Sequence, residues 1–91
     1  MKYFNLVVYG EKVLVKYSLF LGYVLHLELR SAGGKTFFSE TGYRSHFFGM
    51  VDKNEIHEAN KMIEETTDIE MIDIIKELFP VKKFDGQLSL F

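Results

Sequence analysis

Through the first half of the chain, apolar and polar residues alternate with a period of two, and after Gly49 the period lengthens to about 3.6. The alternation predicts strands, dense in β-branched and aromatic residues, at 2–9 and 13–20, joined by a turn at Gly10-Glu11-Lys12. Residues 23–30 have the clearest pattern. Tyr23, Leu25, Leu27 and Leu29 point one way and predict a buried face, whereas Val24, His26, Glu28 and Arg30 point the other way and predict a wet one. Ser31-Ala32-Gly33-Gly34 marks a turn before a fourth strand at 35–39, and Thr41-Gly42 marks another before a fifth at 43–48. Every connection is too short for a crossover helix, so the five strands are predicted to be mostly antiparallel.

The second half reads as two amphipathic helices, at about 53–66 and 68–79. Asp52 followed by Glu55, and Thr67 followed by Glu70, fit capping boxes, in which each side chain satisfies an orphan backbone N–H of the first turn. Ile56, Ala59, Met62 and Ile63 form the apolar stripe of the first helix. Ile69, Ile72, Ile75 and Phe79 form that of the second, widened by Met71, Ile74 and Leu78, and Pro80 stops it. The expected architecture is α+β: a five-stranded mostly antiparallel sheet over 2–48, with both helices packed on its leucine face. A single domain spans 1–80, and residues 81–91 form a charged tether and a tail.

Composition narrows the chemistry. A chain of 91 residues, 47% hydrophobic, can close one core unaided, and the lack of cysteine excludes thiol catalysis, disulfides and Cys-based zinc sites. No signal-peptide pattern opens the chain, and its longest apolar stretch is too interrupted to span a membrane, which points to a cytoplasmic location. The net charge of −2 conceals a split: residues 1–53 carry seven Lys or Arg against four acids, and residues 54–91 carry four Lys against nine acids.

The last five residues, Gln87-Leu88-Ser89-Leu90-Phe91, carry the most specific signal. A string of this kind arises by chance in a chain of this size with probability on the order of 10⁻⁴. It resembles the peptide with which bacterial replication and repair proteins dock on the DNA sliding clamp. The resemblance covers five residues and implies a partner: Leu90 and Phe91 would fill an apolar pocket on the clamp, Gln87 would hydrogen-bond at its rim, Leu88 would pack in a shallower groove, and Ser89 would be a spacer. It further implies a bacterial, phage or plasmid source and a non-enzymatic accessory role, either recruiting the domain or competing with polymerases. The alternation Leu-Ser-Leu suits an added edge strand or a core plug equally well, and that reading stays open.

Other constellations are less specific. His26, Arg30, Tyr43, Arg44 and His46 gather on one sheet face if the strands pair suitably, as a face for an anionic ligand or nucleic acid. The alternative function is therefore a nucleic-acid-binding accessory module using Lys16, Arg30 and Arg44, with a structural tail. His26, Glu28 and His46 lack a local metal-ligand spacing, His57-Glu58 lacks the second histidine of a metalloprotease helix, and Gly33-Gly34-Lys35-Thr36 leads into a strand where a phosphate loop would lead into a helix. No metal, cofactor or catalytic residue is expected.

Overall fold

The computed structural model describes residues 1–80. Four strands come first: β1 at Lys2–Val8, β2 at Glu11–Phe20, β3 at Val24–Arg30 and β4 at Tyr43–Met50. A 3-10 turn at Lys53–Glu55 then leads into α1 at Ile56–Glu65 and α2 at Asp68–Leu78. The strands pair antiparallel in the order β1-β2-β3-β4, so each lies beside its predecessor in sequence. The chain is α+β, and among the described residues all four strands precede the helices.

Alternation decides which side of the sheet is covered. Phe4, Leu6 and Val8 of β1, Val13, Val15 and Tyr17 of β2, and Leu27 and Leu29 of β3 are buried on one face. They form a core with Ile63 of α1, Met71 and Ile75 of α2, and Phe38. Each such side chain contributes about 1.5–3 kcal/mol through burial. Lys2 ties the layers together by donating to the carbonyls of Glu64 (2.9 Å) and Thr66 (2.7 Å), acceptors left free where α1 ends. At the start of α2 the capping box forms as predicted: the Glu70 N–H donates to Thr67 Oγ1, and the Thr67 N–H donates to Glu70 Oε1.

Several expectations are corrected. The sheet has four strands among the described residues; the fifth, expected at 35–39, is not a strand. Arg30 pairs directly with Tyr43, so β4 takes the place beside β3 and residues 31–42 form the loop between them. Within that loop Thr36 and Ser39 make an isolated bridge, closed by hydrogen bonds in both directions. A strand would send Phe37 and Phe38 to opposite faces, yet both pack against the core cluster, with Phe38 buried and Phe37 edge-on to Tyr9 at 4.9 Å. The first hairpin turns at Tyr9-Gly10, both at positive φ, one residue earlier than predicted.

The helices shift as well. Asp52 makes no side-chain cap; the Glu55 N–H bonds instead to the Asp52 carbonyl at 2.7 Å, tightening the entry into a 3-10 turn. In α2, Ile69 is 73% exposed, because the buried stripe runs along Met71 and Ile75, flanked by Ile72, Ile74, Leu78 and Phe79. At 3.6 residues per turn Ile69 lies about 160° around the helix from Met71. Met62 of α1 is likewise exposed.

Candidate functional site

The face of the sheet turned away from the helices is uncovered among the described residues. Cross-strand partners share a face, so the register lays out its rows: Asn5, Leu14, Arg30 and Tyr43; then Tyr3, Lys16, Glu28 and Ser45; then Ser18, His26 and Phe47. Aromatic and cationic groups are interleaved across it. Tyr3 is 68% exposed, Phe47 52% and Tyr43 41%. Arg30 lies over the Tyr43 ring with its guanidinium carbon 4.8 Å from the ring centroid, near enough for a cation–π contact. A groove of about 250 Å³ crosses the face between Tyr3, Leu14, Lys16, Glu28 and Arg30.

The register divides the residues expected to act together. His26, Arg30 and Tyr43 lie on the open face. Arg44 and His46, opposite Leu29 and Leu27, point to the helix side. Arg44 caps the Phe79 ring at 5.2 Å, and His46 stands edge-on to Phe48 at 4.8 Å. Polarity alone places both on the open face; strand pairing puts them on the helix side, where His46 is half-buried and Arg44 stays exposed at the rim. Tyr3 and Phe47 belong to the site and were not singled out, although Tyr3 was legible as the outward partner of Phe4 in β1.

His26 is the exception on this face, only 3% exposed on a side read as wet. Phe47 stacks on its ring at 4.4 Å and Phe20 tilts against it at 5.5 Å. Its Nε2 shares a hydrogen bond of 2.5 Å with Ser45 Oγ, and Nδ1 lies 4.0 Å from Glu28 Oε2. Serine, histidine and carboxylate here follow the order of a hydrolytic triad. The Nδ1–Glu28 separation exceeds hydrogen-bond reach and the imidazole is walled by two phenyl rings, so the trio satisfies a buried ring and does not form an open reaction site. Among the described residues no group of three or more His, Asp or Glu side chains is placed to hold a metal ion.

Burial pushes the His26 pKa below its ordinary value of 6.5; Glu28 pulls the other way, and Lys16 adds to the lowering. The folded value therefore lies below the unfolded one, and the unfolded chain takes up this proton first as pH falls. The stability associated with neutral His26 is present in full above about pH 6.5 and is lost as pH drops through that value toward the folded pKa. Urea unfolding between pH 8 and pH 5 is expected to show this loss, and His26→Gln is expected to remove this component of the slope. An unchanged slope in the variant would assign the pH dependence to other groups.

On the helix side, a cleft of about 640 Å³ is lined by Glu58, Glu65, Glu70 and Asp73 with Lys61 as its single cation. That side disfavours anions. The segment 87–91, with its tether 81–86 and the edge-strand reading of the tail, lies outside the described residues. Among the described residues no helix is long and apolar enough to cross a membrane.

Comparison with known proteins gives one family match, to the model described as the KlcB third domain, over residues 1–73. No curated protein and no solved structure matches the chain.

Proposed function

The chain belongs to the KlcB third-domain family, matched over residues 1–73, and from that premise we propose that its domain, residues 1–80, is a non-enzymatic accessory module of DNA replication or repair, addressed to the bacterial sliding clamp by Gln87-Leu88-Ser89-Leu90-Phe91. The pentapeptide carries the reading. It lies beyond the family-matched residues, and the described residues before it already supply a sheet, two helices and a continuous core. A docking peptide and a folded unit are thus separate in sequence. The two anchors, Leu90 and Phe91, contribute about 1.5–3 kcal/mol each when buried, against about 1–2 kcal/mol per residue to order the peptide backbone, so binding depends on keeping both anchors.

The test is capture of purified clamp by the intact chain and by the Leu90→Ala, Phe91→Ala double variant. Loss of both anchors is expected to weaken binding by about 100-fold or more and drop capture to background. Equal recovery by the two chains, or none by the intact one, would overturn the proposal. Displacement of a polymerase by the intact chain would identify it as a competitor; simultaneous occupancy of one clamp would identify it as a recruiter.

A further inference from the structure

The open face of the sheet suits a ligand that presents flat π surfaces and negative charge together, and we propose that it is a binding site for single-stranded nucleic acid, formed by Tyr3, Lys16, Arg30, Tyr43 and Phe47. These residues come from all four strands and reach one surface because the register pairs Tyr3 with Lys16 and Arg30 with Tyr43. Three exposed rings provide stacking platforms for unpaired bases, and Arg30 over Tyr43 extends one of them with a guanidinium plane. Lys16 and Arg30 border the groove beside Tyr3, where a sugar–phosphate backbone would run.

Charge selects the occupant. Lys12, Lys16 and Arg30 stand on this face against one acid, Glu28, which lies 3.7 Å from Arg30 and only 20% exposed. The segment 53–78 on the other side carries eight carboxylates against three lysines. A polyanion is therefore drawn to the sheet and repelled from the helices. A single strand fits better than a duplex. In a duplex the bases are stacked on one another and offer no free π face, and the four strands of this face present no helix or ribbon that projects into a groove. A platform of this width stacks two or three bases.

This site is independent of the clamp peptide, and the experiment keeps the two apart. Fluorescence anisotropy of a labelled oligothymidylate is measured with the full chain at low salt, beside a duplex of equal length. Binding of the single strand in preference to the duplex is expected, with log K falling against log salt at a slope of about −2 for three phosphate contacts. Tyr3→Ala with Tyr43→Ala, and separately Lys16→Ala with Arg30→Ala, should each weaken it at least tenfold. Arg44→Ala, on the opposite face, should change it less than twofold, and Leu90→Ala with Phe91→Ala should leave it intact. The exposed positions of Tyr3, Tyr43 and Arg30 let these variants fold, which circular dichroism checks. Duplex bound as tightly as single strand, binding unaffected by either face pair, or no binding at low salt would each overturn the proposal.

Discussion

Leu27→Ala is expected to destabilise the protein by about 2–5 kcal/mol, read as a fall in urea midpoint and a loss of more than 10 °C in Tm. Leu27 is fully buried on β3, one of the two inner strands, between Tyr17 of β2 and His46 of β4 in the register. Removing its branched end costs the transfer energy of the lost carbons and leaves a cavity between sheet and helices that the meander cannot close without moving both neighbouring strands. In a domain of this size the whole folding free energy is about 4–12 kcal/mol, so one truncation removes a large part of it. Leu14→Ala is the matching control. It deletes the same atoms from β2, but Leu14 is 56% exposed on the open face, and a change within about 0.5 kcal/mol is expected. A similar cost for both leucines would mean that the two faces are not divided as described.

That division was legible because β-strand periodicity is rigid. Once Leu25, Leu27 and Leu29 fall at every second residue, the intervening side chains must take the other face. The Thr67–Glu70 box was legible because it closes within one helical turn and needs no tertiary information. The composition of the open face was not. Whether Arg44 joins Arg30 depends on which residue of β4 sits opposite, and the register pairs Arg30 with Tyr43, turning Arg44 away. The irregularity between Leu25 and His26 then inserts one extra residue, sending Phe48 toward Tyr17 on the covered side while Phe47 stays beside His26. His26 itself looked solvated because its neighbours in sequence are charged. Its burial comes from Phe20 and Phe47, six residues before and twenty-one after it, and long-range contacts of that kind leave no local periodic trace.

The same logic explains the missing fifth strand and yields a second large effect at Gly42. Residues 31–42 carry Phe38 into the core, and their two ends are held by the Ser31 N–H donating to the Gly42 carbonyl at 2.8 Å. Gly42 is buried at φ +87°, and a Cβ there would meet the carbonyl oxygens of Gly34 at 2.8 Å and Ser31 at 2.9 Å. Those are backbone atoms, which cannot rotate aside as a side chain would. Gly42→Ala is therefore expected to cost about 1–2 kcal/mol for the left-handed conformation and about 1–3 kcal/mol more for the displaced loop. Gly34→Ala separates the two contributions, since Gly34 also has positive φ, +78°, but faces open space. It should incur the conformational cost alone. Hydrogen exchange should show the difference in kind as well as size: in Gly42→Ala the Ser31 amide loses its acceptor geometry and exchanges faster, whereas in Gly34→Ala it stays protected. Equal destabilisation of the two variants, with Ser31 protected in both, would mean that the loop yields freely around Gly42 and that Phe38 is held in the core by its own burial alone.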